Sequence, residues 1–393
     1  MGIETFGETL RRLRLRADMS LRELARVAHC SKTHVADLES GRRAPTLPIA
    51  KALDEALRAN DELVALADDR QRTVVWPAAS LDALPPVAVI LSDPRRYVDG
   101  SVVQELRVQL DASKEDDGAL GPSAALPKVQ VVLATVRHSV REVRPHVRRQ
   151  LLAVGAESAE FVGWLYRDLG DLPTATYWYD RAIEWAQEAD DGPMQGYVLL
   201  RKSQLAYDRR DALKVLTLAE AAALERWQLP PQVRAEVAQQ RARGYAMVGE
   251  PMDKVERALG EALRWLDEFE SSRGESGTRL SSTYNHADLT LRTASCYIEA
   301  GQPARAAGLY QDVLQGTSPL SRRDQGYFLA RRAFSLALAG QPDEAAAVGM
   351  MSVVLANTTS SLRTKRELGR AVRALKPWGA RPGPRQLDEA LRP

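Results

Sequence analysis

The sequence predicts an all-α protein in two parts: a head of short helices over about seventy residues, then a stack of helical hairpins. Two observations carry this. In the head, apolar residues recur at helical spacing and two short helices meet across a very tight turn. In the remainder, a short turn recurs, "GDLP" at 170, "GEP" at 249, "GQP" at 301 and "GQP" at 340, with a degenerate "RRDA" at 209. The spacing is even except between 249 and 301, where the insertion "SSRGESGTRLSS" lies. Self-similarity at a fixed period of this size is the mark of a repeat architecture.

The head reads as five helices. Phe6, Leu10, Leu13 and Ala17 fall on one face of the first. Ser20 with Glu23 forms a capping box that opens the second, which buries Leu21, Leu24, Ala25 and Ala28. Only His29 and Cys30 separate it from Ser31, the expected cap of the third helix. That helix buries Val35 and Leu38 and stops at Gly41, where a C′ glycine belongs. Thr46 caps a fourth helix through Ala50, Leu53 and Leu57, and Asn60 a fifth with Leu63 and Leu66. Two short helices so closely joined have the helix-turn-helix spacing, which leaves the second free to enter a major groove.

Composition bounds the rest. A chain of 393 residues exceeds what one core usually serves, so two or more domains are expected. Hydrophobic residues at 45% and charged residues at 27% are ordinary for a soluble globular protein. No stretch approaches the length of a membrane span, and "MGIETFGETLRRLR" has no apolar core of the kind a signal peptide needs. Two distant cysteines, Cys30 and Cys296, form no disulfide framework and fit a reducing cytoplasm. Residues 1–53 carry ten Lys/Arg against six Asp/Glu, a small basic head on a near-neutral body. That asymmetry is compatible with nucleic acid without establishing it.

The string "LRRLRLRADMSLRELARVAHCSKTHVADLESGRRAPTL" resembles the Cro/C1-type (XRE family) helix-turn-helix domain of phage repressors and many bacterial regulators, over roughly residues 4–68. The resemblance implies a five-helix lambda-repressor-like domain that binds double-stranded DNA. It also implies an ion pair between Arg14 and Glu39 that locks the first helix to the recognition helix. Carried over position by position, Lys32, Thr33, His34 and Asp37 are the base-edge candidates. Lysine suits guanine O6 and N7, and an aspartate can accept from cytosine N4. Ser31, Arg22, Arg26, Arg42 and Arg43 are the phosphate candidates. The sequence departs from the family at His29, where glycine is usual, and at Leu21, where a phosphate-binding glutamine often stands. The competing reading is a plain surface helix with solvated arginines. The capping box, the turn length, the Arg14/Glu39 match and the G-R-x-x-P exit together favour DNA.

Residues 73–100, rich in proline, read as a linker, and "DASKEDDGALGPSAALP" at 111–127 as an exposed loop. Helices are expected through 131–140 and 147–154. The five arginines between 137 and 149 are read as a solvated face rather than a second anion contact.

Around each recurring turn, small and aromatic residues recur as well: Gly163, Tyr166, Gly170, Ala175, Tyr179 and Ala182 at the first, with Ala306 and Tyr310 or Ala345 at later ones. This resembles tetratricopeptide (TPR) hairpins with a longer period, hence a TPR-like α-solenoid over 101–393 after a helix-turn-helix domain over 1–72. The stripe is read as core. Asn285, Arg292, Arg331 and Arg332 are the inner-face candidates for a ligand. The combination is similar to actinomycete regulators and, more distantly, to peptide-sensing regulators of the RRNPP type. It implies a cytoplasmic, homodimeric transcription regulator on an inverted-repeat operator, with a peptide, small-molecule or protein effector. The alternative is an interaction scaffold or antitoxin-type adaptor. No P-loop, G-x-S-x-G or metal-spaced His/Cys set is present, so no enzyme, cofactor, metal or membrane partner is expected.

Overall fold

The computed structural model describes residues 6–40, 45, 47–57, 59, 62–64, 93–271, 280–281, 284–316 and 320–392. Among them every regular element is a helix, and the chain folds as two compact units, Met1–Ser80 and Leu81–Pro393. None of the described helices is long and apolar enough to cross a membrane.

The first unit contains α1 (Phe6–Arg16), α2 (Leu21–Val27), α3 (Lys32–Glu39) and α4 (Leu47–Leu57). Its core joins Phe6, Leu10 and Leu13 of α1 to Leu24, Val35, Leu38, Ala50, Leu53 and Leu63, all buried. Each such leucine contributes about 1.5–3 kcal/mol by leaving water. Residues 62–64 are helical, and Asp54 accepts from the backbone N–H of Leu63 at 2.8 Å. The expected caps Thr46 and Asn60, and Leu66, lie outside the described residues.

The second unit opens with a helical turn, α5 (Pro94–Tyr97), and then pairs its helices. The hairpins are α6 (Gly100–Leu120) with α7 (Pro122–Ser139), α8 (Pro145–Asp168) with α9 (Leu172–Glu188), and α10 (Gly192–Asp208) with α11 (Ala212–Ala222). They continue with α12 (Pro231–Met247) and α13 (Met252–Ser271), α14 (His286–Glu299) and α15 (Pro303–Gln315), α16 (Arg322–Leu338) and α17 (Pro342–Thr358), and α18 (Leu362–Leu375) and α19 (Pro382–Ala390). The five turns noticed in the sequence are those inside the second to sixth hairpins. Each places a residue in the left-handed region: Gly170, Arg210, Gly249, Gly301 and Gly340. Arg210 takes at φ 60° the conformation its four counterparts assign to glycine, which explains why that turn is hard to see in sequence.

Small residues let the paired helices close up. A Cβ on Gly163 of α8 would stand 2.7 Å from the Tyr179 ring of α9, closer than carbon atoms pack. Tyr179, Ala175, Ala182, Ala306, Tyr310 and Ala345 are fully buried, so the stripe is core.

Two expectations are corrected. Residues 111–127 are not a loop: they form the end of α6 and the start of α7, broken only at Gly121. Their charges misled because Asp117 and Ser113 point inward, where they are buried. The linker expected over 73–100 ends early. Asp93 caps α5, Pro94 takes its first position and Val98 joins the core of the second unit. The earlier part of that segment lies outside the described residues. Arg137, Arg141, Arg144 and Arg149 are exposed, as a solvated face requires.

The first helix of each hairpin lines the inside of the array and the second covers it. Accordingly α12 and α16 bury nearly every residue, polar ones included. The array also closes on itself. Arg323 of α16 pairs with Asp117 of α6, and the Ser361 hydroxyl before α18 donates to Asp168 of α8 at 3.0 Å. Gly121, at φ 90°, lies so close to the Thr359 carbonyl oxygen that a side chain there would collide with it. Hairpins one and two thus contact hairpins six and seven, and an interior space is left between the inner helices.

Candidate nucleic-acid interface and the interior of the repeat domain

Local sequence dictates how α3 is presented. Ser20 accepts from the Glu23 N–H at 3.2 Å while the Glu23 carboxylate accepts from the Ser20 N–H at 2.7 Å, so the capping box is complete. His29 then turns the chain at φ 51°, in the left-handed region that histidine enters more readily than most residues. Ser31 caps α3 by accepting from the His34 N–H at 3.1 Å.

Lys32 and Thr33 occupy the first two positions of α3 and are exposed, and His34 and Asp37 are half-buried on the same helix. Val35 and Leu38 anchor the opposite face in the core. Ser31, Arg22 and Arg26 are exposed beside this row. Arg42 and Arg43 lie outside the described residues.

One ion pair fixes α3 to α1. The Arg14 guanidinium donates to both Glu39 oxygens, at 2.6 and 2.9 Å, and to the Met19 carbonyl at 2.9 Å. Both side chains are about nine-tenths buried. The Glu39 hydrogen bond, opposed by burial, holds the Arg14 guanidinium above its ordinary value. A bidentate guanidinium–carboxylate pair sets orientation as well as energy.

In the second unit the inner helices line a partly open cavity of about 730 Å³ with a wall of charged and aromatic side chains. Trp164 is part of this wall. Its indole N–H donates to Asp117 at 3.1 Å, and the guanidiniums of Arg167, Arg201, Arg323 and Arg363 all lie within 5.8 Å of its ring. Glu236 bonds Arg292 at 3.0 Å and accepts from Gln204 at 2.8 Å and Ser281 at 2.6 Å. Burial alone pushes its carboxyl up; Arg292 and Arg201, with those hydrogen bonds, overcome this and hold it down at about 2. Asp288 lacks comparable support, and burial, partly offset by Arg292, pushes it up to about 6.

Of the four inner-face candidates, Arg292 alone lines the cavity. Asn285 caps α14, accepting from the N–H groups of Ala287 and Asp288. Arg331 is fully buried against Glu367 at 2.8 Å, and Arg332, also buried, donates to Glu344 at 2.6 Å and Gln311 at 3.0 Å. Trp164, Arg201, Glu236, Arg243, Arg323 and Arg363, which do line it, escaped the sequence reading. A signal existed in α12, where Gln232, Glu236, Gln240 and Arg243 recur at three- and four-residue spacing in a helix otherwise rich in valine and alanine.

Residues 5–67 match the helix-turn-helix domain family. The N-terminal unit is therefore a helix-turn-helix domain, a fold that places its second helix in the DNA major groove. No curated protein matches the chain. Among solved structures, Bacillus thuringiensis PlcR in complex with the peptide PapR7 and DNA aligns over 99% of this chain and 92% of its own, at 10% identity and a TM-score of 0.31. A score that low does not establish a common arrangement. The helix-turn-helix assignment stands on the domain match and on the geometry of α2 and α3.

Proposed function

We propose that this protein is a sequence-specific DNA-binding transcription regulator, that α3 reads base edges through Lys32 and Thr33, and that the repeat domain dimerises and responds to an effector. The observation that carries the reading is the pairing of an exposed α3 N-terminus with its rigid mount, the Arg14–Glu39 ion pair, inside a helix-turn-helix domain. A surface helix with no task needs no buried ion pair to fix its angle.

In this reading Lys32 approaches guanine, Thr33 and Asp37 complete the readout with His34 beside them, and Ser31, Arg22, Arg26, Arg42 and Arg43 hold phosphates. Two copies read an inverted repeat with half-sites about one DNA turn apart. The polar interior of the repeat domain supports an effector site, because a purely structural array would fill that space with apolar side chains.

Fluorescence anisotropy on operator and scrambled duplexes tests it. Lys32→Ala with Thr33→Ala should abolish the preference for the operator while leaving the melting temperature unchanged. Equal site preference in the wild type and the double variant overturns the assignment.

A further inference from the structure

The charges of the cavity wall do not pair off. Lys114 has Glu157, Arg167 has Asp208, Arg201 has Glu160, Arg292 has Glu236, and Arg323 has Asp117. Among the described residues, two cations of this wall have no carboxylate in contact, while on the acidic side Asp288 has no ion pair. Arg243 is 6% exposed, donates to Gln240 at 2.8 Å and stacks on Tyr207 at 4.6 Å, yet among the described residues no carboxylate touches it and its Nε has no partner. Arg363 stacks on Tyr327 at 3.5 Å and Trp164 at 5.0 Å, and its Nε is likewise buried and unpartnered. Asp324 and Asp208 act on Arg363 only from beyond contact distance.

A guanidinium drawn away from water with no carboxylate in contact is costly, because the hydration it loses is only partly replaced. Every other cation of this wall has been given its own carboxylate. The two exceptions both line the same cavity, flanking Tyr207 and Tyr327, and each has a buried Nε with no partner among the described residues, as Arg292 and Arg323 of the same wall also do.

We propose that the cavity binds a small phosphate monoester, whose phosphate takes up Arg243 and Arg363 and whose body fills the space beside Trp164. A phosphate monoester carries about −1.5 to −2 charges near neutral pH, matching two guanidiniums. Its oxygens accept the forked N–H pairs that arginine presents. A volume of about 730 Å³ suits a ligand of nucleotide size. The site identifies the effector class of the function proposed above and rests on that reading only for its consequence on DNA.

Isothermal titration calorimetry of the full-length protein tests the site, with AMP and inorganic phosphate as probes and adenosine as the uncharged control. Saturable binding of AMP, competition by inorganic phosphate and no binding of adenosine are expected. Arg243→Gln and Arg363→Gln should each weaken AMP by roughly tenfold or more, while Arg243→Lys retains part of the affinity. If Arg243→Gln does not fold, the half-buried Arg363 decides. Absence of binding by both phosphate-bearing probes, or binding that survives the Gln variants, overturns the proposal. Operator binding is followed separately by anisotropy. AMP bound at Arg243 in a protein that binds no DNA would refute the regulator and leave this site standing.

Discussion

Arg323 and Asp117, 206 residues apart in the chain, form a buried ion pair that joins the sixth hairpin of the repeat domain to the first. The Trp164 indole N–H donates to the same carboxylate, and Arg167, Arg201 and Arg363 lie over that indole ring, so the pair ties the two ends of the array to the cavity wall.

Breaking that pair should therefore loosen the whole second unit. Asp117→Asn leaves a buried guanidinium with only Asp324 at 3.5 Å. We expect a loss of about 3 kcal/mol, the lower end for removal of one buried partner. Urea denaturation followed by far-UV circular dichroism reads it. A loss below about 1 kcal/mol, the size of an exposed pair, would mean that closure contributes little.

The Arg14–Glu39 pair separates folding from recognition in the helix-turn-helix domain. Glu39→Gln should destabilise that domain by about 3 kcal/mol and weaken binding to every DNA sequence alike. Replacing Lys32 and Thr33 should instead spare stability and erase sequence preference. Thermal melts beside anisotropy distinguish the two, and a Glu39→Gln protein that melts as the wild type would refute the mounting role.

Arg22→Ala and Arg26→Ala address phosphate contacts. Each should weaken specific and non-specific duplexes to a similar degree and reduce the slope of log K against log salt by about one. An unchanged slope would remove that arginine from the interface.

Acid stability should show two opposed limbs. Glu236 is held at about 2 against an ordinary 4.5, so its stabilisation is complete above pH 4.5 and is lost as pH falls toward 2. Asp288, raised to about 6 from 3.8, acts the other way: its ionisation costs stability as pH climbs through that interval. Asp288→Asn should flatten the upper limb and leave the lower one. A full upper limb in that variant would assign it to another group.

Packing at Gly163 gives a cleaner test of the small-residue stripe. Gly163→Ala drives a methyl into the Tyr179 ring and should cost about 1–3 kcal/mol despite alanine's better helix propensity. The Tyr179 hydroxyl is buried with no partner among the described residues, so Tyr179→Phe should be neutral or stabilising. Calorimetric melts of both variants check the pair; stabilisation by Gly163→Ala would contradict the close approach.

What the sequence reveals here follows from the range of the interactions. The head is legible because its signals are local: Ser20 and Glu23 are three residues apart, and α3 begins and ends within ten. Turns such as "GQP" are legible for the same reason. The first and last hairpins were harder, since Gly121 and the 376–381 turn do not share that motif, and the acidic run 115–117 looked solvated although Asp117 is an interior ligand of Arg323. The cavity was not legible. Its wall takes residues from all seven inner helices, and which face of each helix turns inward depends on closure of the array. Arg331 and Arg332 show the consequence: adjacent arginines on α16, both buried, one against Glu367 and the other against Gln311 and Glu344, with neither on the cavity wall.

The central claim is that α3 reads sequence. Selection of bound duplexes from a random library, run with the wild type and with the Lys32→Ala, Thr33→Ala variant, tests it most directly. One enriched inverted repeat is expected, with half-sites about one turn apart, that disappears in a variant of unchanged stability. Enrichment of no motif, or of the same motif by both proteins, would contradict it.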